Sequence, residues 1–121
     1  MAQGEWEEAE RRLVDAVAVS DEVGFAQAGG AFRASLAVVR ARQGAYDEAR
    51  ALLVVGAQLL GGANVMELAK LLCKKAEVER GAGDQEAFNH ALVEAERLAK
   101  ELGVGPDSEL AGAITRLRAK G

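Results

Sequence analysis

The sequence predicts an all-α fold: one domain of about six antiparallel helices, stacked as hairpins in a short right-handed solenoid. Three observations carry this. Half of the 121 residues are apolar, yet only 4% are aromatic, and the Ala- and Leu-rich remainder loses little side-chain freedom in a helix. A single proline, Pro106, leaves nearly all of the chain free to be helical. The third observation is a repeated phrase: GEWEEAERRLVDA (Gly4–Ala16) and GAYDEARALLVVG (Gly44–Gly56) share a glycine, then an aromatic (Trp6, Tyr46), then Glu-Ala (Glu8-Ala9, Glu48-Ala49), a leucine (Leu13, Leu53) and a small residue (Ala16, Gly56). A fainter copy keeps the same offsets at Gly83, Gln85, Phe88, Leu92 and Ala95, so that the starts lie 40 and 39 residues apart. A fixed period in this range marks a repeat architecture.

Each helix has its own signals. The first runs from about Glu5 to Val23, with Trp6, Ala9, Leu13, Ala16, Val17 and Ser20 on one stripe and Gly24 closing it. The second, about Phe25 to Arg42, carries Ala28, Phe32, Leu36 and Val39 on one face and ends at Gly44. Its Gly29-Gly30 pair costs about 1 kcal/mol per glycine relative to alanine, or else moves the start to Gly30. The third, about Tyr46 to Leu60, is apolar nearly all round and is expected to be buried on two sides. Asn64 caps the fourth, with Glu67 completing a capping box, and that helix runs to about Arg80 with Val65, Leu68, Ala69, Leu72 and Ala76 in register; Lys74 and Lys75 fall near positions expected to be buried. Asp84 caps the fifth, whose stripe is the cleanest: Phe88, Ala91, Leu92, Ala95, Leu98, Ala99, Leu102. Pro106-Asp107-Ser108 opens a short last helix with Leu110, Ala113, Ile114 and Leu117. The resulting division is a half repeat (1–24), two repeats (25–62 and 63–103) and a terminal capping helix (104–121).

Composition excludes several functions. Net charge is −4 with both signs interspersed, so there is no nucleic-acid footprint. The acidic run Glu5, Glu7, Glu8, Glu10 belongs to first turns, where it complements the helix dipole as a solvated face. The apolar stretch from Ala49 to Leu60 is too short for a membrane span, and MAQGEWEEAE has neither the basic start nor the apolar run of a signal peptide, so a cytoplasmic location is expected. His90, the only histidine, stands between Glu86 and Glu94 on a polar face, a spacing that reads as solvated surface rather than a metal site. Cys73, the single cysteine, has no histidine near it and reads as a buried, inert thiol. No hydroxyl has a base beside it and no glycine pair follows a strand, so neither catalysis nor a cofactor is expected.

The glycine turn, aromatic, Asp-Glu-Ala and alternating small and large residues resemble the tetratricopeptide repeat family. The best copy, about Ala31 to Gly62, has Leu36-Ala37, Gly44, Tyr46, Ala49, Leu53 and Gly56 in that family's order. It departs at Arg40, where the family has an aromatic, and in lacking a closing proline; the longer period is similar to variants in helical regions of large bacterial regulators and ATPases. The resemblance implies a non-catalytic protein–protein interaction module, a piece of such a regulator, whose concave side is lined by the first helix of each hairpin. Here those are the second and fourth helices. Their non-core residues, Ala31, Ala34, Ser35, Val38, Ala41 and Arg42 on one and Lys70, Cys73, Lys74, Glu77 and Arg80 on the other, would form a groove with an apolar and a basic wall. Such a groove fits a peptide with an acidic or carboxylate end, although the same residues suit an ordinary solvated face; the asparagine-lysine clamp of the chaperone-binding members is absent. The second reading is self-association as a homodimer through the face Trp6, Ala9, Leu13, Ala16, which lacks the first helix of its own repeat.

Overall fold

The computed structural model describes residues 3–120, and among them finds six α-helices and no strand: α1 (Gln3–Val23), α2 (Ala26–Arg42), α3 (Tyr46–Leu60), α4 (Val65–Ala82), α5 (Gln85–Leu102) and α6 (Glu109–Lys120). No described helix is long and apolar enough to cross a membrane. The predicted N-caps are formed: Asn64 accepts from the Glu67 amide at 3.1 Å, Asp84 from the Ala87 amide at 3.0 Å, and Ser108 from the Ala111 amide at 3.1 Å, while the Glu67 carboxylate, expected to complete a capping box, faces Lys70 at 3.4 Å. The tips joining α2 to α3 and α4 to α5 are built alike. Gly44 (φ 81°) and Gly83 (φ 82°) take the left-handed conformation that L side chains resist. In each, the next amide reaches back to a carbonyl of the preceding helix, Ala45 to Arg40 and Asp84 to Glu79, both at 2.9 Å.

The helices pack as consecutive hairpins. α2 lies on α3 and α4 on α5, while α4 also touches both α2 and α3. One cluster joins Ala34, Ala37, Ala49, Leu53 and Leu60 of the first hairpin to Leu71 and Val78 of α4. A second joins Ala69, Cys73 and Ala76 of α4 to Phe88, Leu92 and Ala95 of α5 and to Leu110 and Leu117 of α6. α4 is therefore apolar on two sides, which places Lys74 and Lys75 near buried positions: Leu71 and Val78 face back, Ala69, Cys73 and Ala76 face forward, and the two lysines lie half-buried between. α2 begins at Ala26 rather than at Gly30, so the Gly29-Gly30 pair lies within its opening turns, where α2 and α3 meet closely. A Cβ on Gly30 would lie 2.8 Å from the Gly56 carbonyl oxygen. α3 is buried on two sides as expected, against α2 and against α4, while Val54 and Val55 remain 56% and 40% exposed. One expectation needs correction. Ala34 is core, not groove.

The sequence period is also a period of contacts. At the α1–α2 junction Glu10 pairs with Arg40; at α3–α4 the residues 40 and 39 further on, Arg50 and Glu79, pair at 2.7 Å with the charges exchanged. The Trp6 ring carries Arg42 5.2 Å from its centroid, and the corresponding Tyr46 donates its hydroxyl to the Gly81 carbonyl at 2.9 Å. α6 continues the series: it packs on α4 and α5 as α4 packs on α3 and α2, with Leu110 and Leu117 buried 39 residues after Leu71 and Val78. The helix expected only to cap the stack thus occupies the place of a further first helix.

Candidate functional site

Because α2, α4 and α6 are equivalent, their outward positions line one face in three columns. Ala31, Lys70 and Glu109 form one column, Ser35, Lys74 and Ala113 the second, and Val38, Glu77 and Arg116 the third. Between α4 and α6 this face opens into a cavity of about 200 Å³ bounded by Lys70, Cys73, Lys74, Glu77, Arg80, Glu109, Leu110, Ala113, Arg116 and Leu117. A shallower depression of about 440 Å³ between α2 and α4 is bounded by Val38, Ala41, Arg42, Tyr46, Glu77, Val78, Arg80 and Gly81. Glu77 and Arg80 belong to both, so the two adjoin along α4.

Of the residues expected in the groove, Lys70, Cys73, Lys74, Glu77 and Arg80 meet in the cavity and Val38 and Arg42 in the depression beside it. Ser35 is half-buried on α2 and bounds neither. Arg116 and Glu109 were missed. The period would have found them, since Arg116 lies 39 residues after Glu77, but reading the last helix as a cap kept it out of the series.

The cavity is basic within an acidic protein. Four cations (Lys70, Lys74, Arg80, Arg116) face two carboxylates (Glu77, Glu109). Lys70 is already held by Glu67 at 3.4 Å and Glu109 at 3.8 Å. Among the described residues Lys74, Arg80 and Arg116 form no ion pair. The Arg80 guanidinium lies 5.7 Å from the Phe88 ring centroid, which fixes its plane, and its Nη1 is buried with no hydrogen-bond acceptor. A buried guanidinium nitrogen without an acceptor is uncommon, because leaving such a donor unsatisfied costs about 1–3 kcal/mol.

The thiol at the floor is held in its neutral form. Burial pushes Cys73 up to about 11, with Glu77 and Glu96 adding to the rise and Lys74 and Arg116 opposing it, so it is a neutral thiol at physiological pH. His90 is exposed beside a shallow hollow with Lys75, Asp84 and Glu86, and Glu94 is turned to Arg97, whose hydrogen bond holds its carboxyl below the usual range. No group of three His, Cys, Asp or Glu residues among those described is arranged to hold a metal.

The face Trp6, Ala9, Leu13, Ala16 is half-buried against α2, Trp6 being covered by Arg42. The apolar residues that α1 leaves open are instead Val14, Val19 and Val23. Searches of protein-family models, of curated proteins and of solved structures find nothing that matches the chain.

Proposed function

We propose that this chain is a non-catalytic protein-interaction module of the tetratricopeptide kind, whose α2–α4–α6 face seats an acidic peptide segment. The observation that carries this is Arg80, which lines a cavity of about 200 Å³ together with Lys74 and Arg116 and whose Nη1 is buried without an acceptor. A carboxylate entering there would accept from the guanidinium and gain the two flanking cations, in a setting where charge-assisted hydrogen bonds are roughly twice as strong as neutral ones. The apolar floor of Leu110, Ala113 and Leu117 would receive the stem of a glutamate or an adjoining apolar side chain. The depression along α2 offers Val38 and Tyr46, which extends the seat beyond a single residue.

The test is a binding titration with fluorescent peptides that differ only in carrying Glu or Gln at every second position. The Glu series should bind, weaken as salt rises, and lose affinity in Lys74→Glu and Arg116→Glu with little change in melting temperature. Equal binding of the two series, or unfolding of both charge-reversed variants, would contradict the proposal.

A further inference from the structure

We infer that copies of this chain associate head to tail, α6 of one copy entering the open groove between α1 and α2 of the next. The groove is a different surface from the basic face and does not depend on it. Its apolar walls are Ala16, Val19 and Val23 of α1, Phe25 at the turn before α2, and Ala28 and Phe32 of α2. Val19, Val23 and Phe25 are 56%, 54% and 66% exposed, a concentration of apolar surface that monomeric proteins rarely leave open. Among the described residues α1 touches no helix but α2.

The internal period says what such a groove receives. Gly56 is the counterpart of Ala16, and Leu71 that of Phe32. Against those counterparts α2 packs: a Cβ on Gly56 would lie 3.0 Å from the Gly30 carbonyl oxygen of α2 and 3.2 Å from Leu71 Cδ1 of α4. The seat that α2 fills on α3 and α4 is the seat left open on α1 and α2. Its occupant must be a helix with a face of small residues, as α2 has at Gly30, Ala34, Ala37 and Ala41.

α6 carries that face. The residues 78 positions on, two periods of 39, are Ser108, Gly112, Thr115 and Ala119, all small and none of them buried. In α4 the equivalent Ala69, Cys73 and Ala76 are covered by α5, whereas on α6 no described helix takes α5's place. The docked pair would be one more hairpin of the same stack, α6 supplying its first helix and the neighbouring copy's α1 its second. Charge selects this arrangement over a two-fold pairing of α1 with α1. α1 has seven acidic and two basic residues, a net −5, against three basic and one acidic in α6, a net +2. Two α1 helices would repel, while α1 and α6 attract. The contact is heterologous, so it extends into longer assemblies instead of closing at two copies.

Sedimentation velocity on a dilution series of the full chain tests this, with two variants at exposed positions, Val19→Glu in the groove and Thr115→Glu on the α6 face. Wild type should gain mass beyond a dimer as concentration rises and lose it as salt rises. Each variant alone should sediment as a monomer with unchanged helical circular dichroism. Their equimolar mixture should form a dimer, because each retains the end that the other has lost. If Val19→Glu loses helix, Val23→Glu takes its place in the same experiment. Wild type that is monomeric throughout, self-association abolished by Val19→Glu but kept by Thr115→Glu (a two-fold α1 contact), or a mixture that stays monomeric would each overturn the inference.

Discussion

Substituting alanine at Gly30 separates close helix packing from helix propensity. On an open helix face, glycine to alanine gains about 0.8–1 kcal/mol. At position 30 the new Cβ would lie 2.8 Å from the Gly56 carbonyl oxygen and 2.8 Å from Leu60 Cγ. Leu60 can turn, but a backbone oxygen cannot be moved without shifting α3, and overpacking of that kind costs about 1–3 kcal/mol. Because the clash is with backbone, the steric cost wins, leaving Gly30→Ala destabilised by up to about 2 kcal/mol. Gly112 is the control, since its Cβ would meet only the flexible end of Arg116 at 3.4 Å, so Gly112→Ala should gain about 1 kcal/mol. Thermal melts at low protein concentration should place the two variants on opposite sides of wild type, each 1 kcal/mol moving the midpoint by about 3–5 °C for a domain of this size. Gly30→Ala melting at or above wild type would refute the close approach of α2 and α3.

Three further outcomes are expected. Phe88, 2% exposed at the centre of the second cluster, should cost about 3–5 kcal/mol when cut to alanine, read by urea denaturation. Arg50→Met should destabilise because it strands the buried Glu79 carboxylate, whereas Arg50→Glu with Glu79→Arg should recover much of the loss, as the exchanged pair Glu10–Arg40 already holds the equivalent junction; a double-mutant cycle in denaturant measures both. Cys73, buried and with its thiol raised to about 11, should react with a thiol reagent only as fast as the fold opens, so Phe88→Ala should speed its labelling. Because the folded value lies above the unfolded value near 9.0, the thiol's contribution to stability is complete below pH 9 and lost as pH rises toward 11.

Much of this architecture was legible before any coordinates. Gly44 and Gly83 announced the hairpin tips, Asn64, Asp84 and Ser108 the helix starts, and the stripe from Phe88 to Ala99 one continuous core face. What escaped is what a single stripe cannot express. α4 packs on both sides, so choosing one apolar face left Leu71 and Val78 unassigned. Val54 and Val55 read as core by hydropathy, yet burial depends on a neighbour, and no described helix covers them. The basic face was found from α2 and α4 but stopped short of Arg116, because the echoed phrase marks α1, α3 and α5, whereas α6 matches α2 and α4 only through Leu110 and Leu117. The pairs Glu10–Arg40 and Arg50–Glu79 were invisible to pattern matching because the charges exchange places between copies.

The proposed carboxylate seat on the α2–α4–α6 face is built around Arg80. Its most direct measurement is an NMR titration of isotope-labelled protein, following the arginine side-chain Nε–H signals, with a Glu-rich peptide and its Gln counterpart. The Glu peptide should shift Arg80 and Arg116 together with the backbone of Lys74, Glu77 and Ala113, leave Arg50 and Arg97 in place, and lose these effects in high salt; the Gln peptide should shift none of them. Identical shifts from both peptides, or shifts spread over all the exposed arginines with Arg80 unmoved, would contradict it.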